Sequence, residues 1–187
     1  MKYISTNKTE FIRENFFEQS FADRTPSFEK FKELTTSAQL HYLADIYNWD
    51  DGVEVLNWVV DSPLCDLGTA VMIFWRAEPS YYTKYSNAAE AEHDAEVLEL
   101  LLKIVDNFKN KKYSKSKIKY DPIADQRDVN EIETNAKWTI PIEFKKATRG
   151  GRIITKEYIN GFLFFVKRYF KEIKRQRNRN RNRQKKN

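Results

Sequence analysis

Two short strings gather several of the rarer side chains in this sequence that could do chemistry: a Trp, three Asp and the cysteine. The strings are Asn48-Trp49-Asp50-Asp51-Gly52 and, further on, Cys65-Asp66-Leu67-Gly68-Thr69-Ala70. Cys65 is the one cysteine, and His41 and His93 are the two histidines. A thiolate nucleophile needs a base, a group that orients the base, and donors for the developing oxyanion. Neither histidine comes with such companions, so Cys65 reads as a core thiol. Glu90-x-x-His93 has the spacing of a carboxylate-bridged metal bundle, but that site needs a second copy of the motif. The other histidine, His41, has Ala38 three residues before it. No catalytic residue, metal site or cofactor is therefore expected.

The aspartates leave two readings open. Asp51 and Asp66 suit helix caps, which accept orphan backbone N–H bonds and favour the positive end of the helix dipole. Gly52 and Gly68 would then mark close approach between helices. Alternatively Trp49, Asp50, Asp51, Glu54, Asp61, Asp66 and Glu78 form an acidic, aromatic-containing face that recognises a protein partner. Trp49 and Trp75 serve either as core anchors or as interface anchors, because tryptophan dominates both.

The elements that must position these residues read as helices. Thr9 to Ala22 gives a first helix, and Thr25-Pro26 reads as a cap followed by proline at the first position of a second. Thr36-Ser37-Ala38-Gln39 fits a capping box, and Leu40, Leu43, Ala44 and Tyr47 follow it on one helical face. Asp51 and Glu54 repeat the box spacing, ahead of a stripe of Val53, Leu56 and Val60. Ser62-Pro63 stops that helix. Asp66 is placed to cap the next, with Leu67, Ala70, Val71 and Phe74 in helical register up to Glu78-Pro79. Asn87-Ala88-Ala89-Glu90 begins a long helix with Ala91, Ala95, Leu98, Leu102 and Val105 inside and Glu92, Glu96 and Glu99 outside.

Lys109 to Lys119 reads as a basic surface connection and a weak boundary. Residues 120–137 show no period. Trp138 to Pro141 suggests an extended piece before a short helix over 142–147, and Gly150-Gly151 a turn. Thr155 caps a last helix with Tyr158, Phe162, Phe165, Val166, Tyr169 and Ile173 on one face.

Thirteen Phe, ten Tyr and four Trp against five Gly and five Pro favour long regular elements with an aromatic core. One cysteine makes no internal disulfide. The N-terminus has no apolar run of the signal-peptide kind, and no apolar stretch is long enough to span a bilayer. A soluble, cytoplasmic protein without membrane contact is expected. The net charge of +6 is unevenly spread. Residues 167–187 hold eleven basic and one acidic residue, whereas residues 40–110 hold four basic and thirteen acidic. An acidic body therefore carries a basic, low-complexity tail that is expected to be disordered. Its Arg175, Arg177, Arg179, Arg181 and Arg183 would suit phosphate backbones, which gives an alternative role in nucleic-acid association. The tail has no aromatic residue to stack a base.

The string Leu40-His41-Tyr42-Leu43-Ala44, Tyr47-Asn48-Trp49-Asp50-Asp51-Gly52, Ser62-Pro63-Leu64-Cys65-Asp66-Leu67-Gly68-Thr69-Ala70 and Phe74-Trp75-Arg76-Ala77-Glu78-Pro79 resembles the bacterial family called domain of unknown function 4274. The resemblance covers about residues 38–86. It implies a small helical domain with no assigned activity, similar in style to the immunity proteins that neutralise bacterial toxins. The expectation is an all-α protein, a multi-helix bundle or stacked helical pairs, as one domain over 1–174 with a tail over 175–187. Its expected function is protein binding of an immunity or antitoxin kind, toward a toxin-like partner. An enzyme of unknown class is the third reading.

Overall fold

The computed structural model describes residues 2–113, 115–130, 135–156, 159 and 160. The chain divides into two compact units, residues 1–153 and 154–187. The apolar face from Tyr158 to Ile173 and the arginines from Arg175 to Arg183 lie outside the described residues. The fold is all-α, with two-residue strands as its only extended elements among those residues.

The first unit opens with β1, Lys2–Tyr3, whose Lys2 N–H donates to the Arg152 carbonyl at 3.2 Å. Helix α1 spans Thr6–Phe16 and α2 spans Phe28–Lys32. Helix α3 runs Ser37–Ile46, α4 Glu54–Asp61 and α5 Leu67–Arg76. Two single-turn helices, α6 (Pro79–Tyr82) and α7 (Ala88–Ala91), lead to α8, Ala95–Lys109. The last strand, β2, is Ile153–Ile154.

Helix α5 is the axis of the core. Every residue from Gly68 to Trp75 is buried, as expected for a helix that is apolar all round. Helices α3 and α8 pack against it, α1 lies on α3, and α4 bridges α3 and α8. Fully burying side chains such as Ile73 and Phe74 stabilises by about 1.5–3 kcal/mol each. The capping box at Thr36 and Gln39 forms as its spacing predicts, and Leu40, Leu43, Ala44 and Tyr47 are all buried.

Several boundaries differ from the sequence expectation. Helix α1 stops at Phe16, and Ser20–Ala22 forms a separate turn. Ser27, not Thr25, caps α2, its hydroxyl accepting from the Lys30 N–H. The long helix expected from Asn87 is broken at Glu92, whose φ of 50° is incompatible with a right-handed helix. Beyond the break α8 buries Leu98, Leu100, Leu101, Ile104 and Val105, while Leu102 is only half-buried.

The segment after α8 is an integral layer rather than a surface connection. Ile118 is fully buried. The Leu67 N–H donates to the Lys115 carbonyl at 2.9 Å, and Lys117 and Lys119 exchange hydrogen bonds with Gly151 at 3.0 Å. No helix forms over 142–147. Phe144 instead packs edge-on between Phe74 and Phe108, both at 4.9 Å, and its carbonyl accepts from the Trp75 indole at 2.7 Å. That carbonyl is thereby withdrawn from helical pairing.

Candidate functional site

Helix α4 is amphipathic in a simple way. Val55, Leu56, Val59 and Val60 face the core, which leaves Glu54, Asn57, Trp58 and Asp61 outside at i, i+3, i+4 and i+7. Trp58 stands in the middle of this outer face and lines two adjoining grooves.

On one side is an acidic groove of about 440 Å³, formed with α8 and lined by Glu54, Asn57, Trp58, Glu96, Glu99 and Lys103. Lys103 donates to Asn57 Oδ1 at 2.7 Å and to Asp61 Oδ2 at 3.1 Å. This exposed pair adds under about 1 kcal/mol, but it occupies the groove's cation. No ion pair forms to Glu54, Glu96 or Glu99 among the described residues. On the other side is an apolar slot of about 430 Å³, with Phe28, Phe31, Leu34, Trp58, Pro63 and Leu64 among its walls. Phe28, half exposed at 49%, meets Trp58 edge-on at 5.2 Å.

The other aspartates of the two strings have different tasks. Asp51 does not cap α4, whose N-cap is Val53. Its carboxylate instead accepts from the backbone N–H groups of Gln19 and Ser20, at 3.0 and 3.2 Å, and from the Ser20 hydroxyl. It pins the turn after α1 from more than thirty residues away in sequence. Asp66 does cap α5, accepting from the Gly68 N–H at 3.0 Å, and also takes the N–H groups of Lys117 at 2.8 Å and Ile118 at 3.2 Å. It has no exposed surface, so it forms no part of an outer face.

The two glycines separate as well. Gly68 marks a close approach, since a Cβ there would lie 2.2 Å from the Ile118 carbonyl oxygen, although the neighbour is a loop and not a helix. Gly52 has open space around it. It is needed for its backbone, at φ 82° and ψ −169°, a region in practice reserved for glycine.

Asp50 is exposed, and Trp49 is half-buried against the core. Glu78 is exposed at the α5–α6 junction with φ 54°, and lines a different cavity with Trp75, Tyr81, Arg127 and Asp128. Of the seven sequence candidates, the structure brings only Glu54 and Asp61 to a shared face. Trp58, Phe28, Glu96 and Glu99 complete that face. Trp58 was legible from its position four residues after Glu54 and three before Asp61, off the Val53-Leu56-Val60 stripe.

Residues 35–109 match the model of the family described as Domain of unknown function (DUF4274). The match runs from the cap of α3 to the end of α8, further than the string that first suggested it. No curated protein and no solved structure matches the chain. The matched segment supplies both walls of the acidic groove, while Phe28, Phe31 and Leu34 of the slot precede it.

Of the remaining reactive side chains Cys65 is enclosed, His41 is half-buried and His93 is exposed. Cys65 is buried, and burial, reinforced by Asp66 and Asp61, pushes its thiol well above the ordinary range. His41 hydrogen-bonds not to Cys65 but to Thr69 Oγ1 at 3.0 Å, and burial holds its pKa down at about 4. Thr69 has no exposed surface, so its hydroxyl is closed to any substrate in this conformation. Among the described residues no group of three or more His, Cys, Asp or Glu could hold a metal ion, and no helix is long and apolar enough to cross a membrane.

Proposed function

We propose that this protein is a binding module that covers a basic surface on a protein partner, in the manner of an immunity or antitoxin protein. The observation that carries the reading is the outer face of α4. Trp58, a residue type that dominates interface energetics, stands between Glu54 and Asp61, opposite Glu96 and Glu99 of α8. A central aromatic within a charged surround is how binding surfaces are commonly built. The excess negative charge would speed encounter with a cationic partner and make the association salt-dependent.

The test is binding kinetics against the product of a neighbouring toxin-like gene. Glu54→Lys and Glu99→Lys should each lower the association rate several-fold and flatten its dependence on salt. A partner that associates equally well with both variants would remove the acidic face from the mechanism. Absence of any binding by the wild-type chain would remove the immunity reading itself.

A further inference from the structure

The acidic face explains attraction but not the slot beside it. Phe28, Phe31 and Trp58 lie within 6 Å of one another, at 5.9, 5.2 and 5.7 Å between ring centroids, and they leave a groove of about 430 Å³ open to solvent. Phe31 and Leu34 are buried at its base, while Phe28 and Pro63 are exposed at its edges. Such a recess offers a bulky apolar side chain contacts that water cannot replace.

The charge around the slot selects the rest of the occupant. Asp61 and Lys32 both line it, one of each sign, and the excess negative charge lies at Glu54, Glu96 and Glu99 in the groove on the other side of Trp58. The cations nearby are already engaged: Lys32 pairs with Glu29 at 2.6 Å and lies 5.7 Å from the Phe28 ring, and Lys103 is held by Asp61 and Asn57. An acidic segment would meet repulsion here, and a neutral one would gain nothing from the groove.

We propose, resting on the protein-binding reading above, that the slot between α2 and α4 takes an apolar anchor side chain from a Lys/Arg-rich segment of the partner protein. The basic residues flanking that anchor then lie across Trp58 in the groove of Glu54, Glu96 and Glu99. Trp58 belongs to both recesses, so one segment engages the two together.

The experiment uses the full chain and three synthetic 15-residue peptides: an amphipathic Lys/Leu sequence, a Lys/Gln sequence of equal charge and a Glu/Leu sequence of equal apolar content. Binding is followed by amide and indole NMR signals, with the Trp58 indole assigned through Trp58→Phe. The Lys/Leu peptide should bind at least about tenfold tighter than either control, a difference of about 1.4 kcal/mol, and should shift the signals of Trp58 and Leu64. Phe28→Ser, at a half-exposed site, should weaken that peptide about tenfold and leave the Lys/Gln peptide unchanged. Pro63→Arg, at an exposed edge of the slot, should also weaken the Lys/Leu peptide, and because it acts through charge it should lower any residual binding of the Lys/Gln peptide as well. Equal binding of the Lys/Leu and Lys/Gln peptides, shifts confined to other surfaces, or indifference to both variants would overturn the proposal. A concentration-dependent dimer abolished by Phe28→Ser would give the slot to a second copy and overturn it too. A protein partner sensitive to Glu99→Lys but not to Phe28→Ser would leave the binding reading standing and remove the slot from it. Slot-directed Lys/Leu binding without any toxin-like partner would support the slot and remove the immunity reading.

Discussion

Replacing Asp66 by alanine should cost far more than losing an ordinary helix cap. A typical N-cap aspartate is worth about 1 kcal/mol, because it satisfies one orphan N–H at a water-accessible helix end. Asp66 satisfies three backbone N–H groups in the interior: Gly68 in its own helix, and Lys117 and Ile118 some fifty residues on. Alanine leaves all three without the carboxylate. A buried donor left unpaired costs about 1–3 kcal/mol, and water entering the vacated space recovers part of it. The sum is about 3–5 kcal/mol, a large share of the roughly 5–15 kcal/mol that holds a domain of this kind together. Asp66→Asn is the informative companion. Both oxygens are acceptors, Oδ1 for Gly68 and Ile118 and Oδ2 for Lys117. An amide therefore turns one of them into a donor facing a donor, for a loss of about 1–3 kcal/mol. Urea unfolding followed by circular dichroism gives both values, with exposed Asp50→Ala as reference. A loss of about 1 kcal/mol for Asp66→Ala, no greater than that of a simple cap, would refute the claim that this side chain ties the 115–118 segment to α5.

Three further outcomes are expected. His41 has its pKa lowered to about 4 by burial, against about 6.5 in the unfolded chain, so the unfolded state takes up the proton first as pH falls. Stability is then full above about pH 6.5 and declines by about 2–3 kcal/mol towards pH 4; His41→Gln should flatten that part of the pH–stability curve, and an unchanged slope would contradict the assignment. Gly68→Ala places a Cβ 2.2 Å from a backbone oxygen and should cost several kcal/mol or prevent folding, whereas Gly52→Ala, in open space but in a glycine backbone region, should cost about 1–3 kcal/mol; thermal melts rank the two, and the reverse order would refute the steric argument. Cys65 should resist a thiol reagent in native buffer at neutral pH and react fully once unfolded; complete native labelling within minutes would show that the thiol is not enclosed.

The sequence by itself determined what depends on near neighbours. The 3.6-residue recurrence of Leu40, Leu43, Ala44 and Tyr47 specifies α3 and its buried face, and the Thr36 and Gln39 pair closes its first turn, because both are settled within a few residues of backbone. Asp66 as a cap, the stop at Ser62-Pro63 and the continuous apolar run of α5 were legible for the same reason. The string from Leu40 to Pro79 was specific enough to indicate the family whose model matches residues 35–109. Tertiary structure decided everything that required a distant partner. Asp51 and Glu54 have capping-box spacing, yet the Asp51 carboxylate goes to Gln19 and Ser20, which local spacing does not reveal. The 142–147 stretch read as a short helix, but the Trp75 indole and the rings of Phe74 and Phe108 hold Phe144 in a turn. Asp66 read as a cap, but its second task, holding the Lys117 and Ile118 N–H groups on a buried carboxylate, needed the fold. The slot joins Phe28 to Trp58 and Leu64 across thirty residues of chain. Proximity of that kind arises only when α2 and α4 pack, so the residues of the proposed docking slot were visible as residues but not as a site.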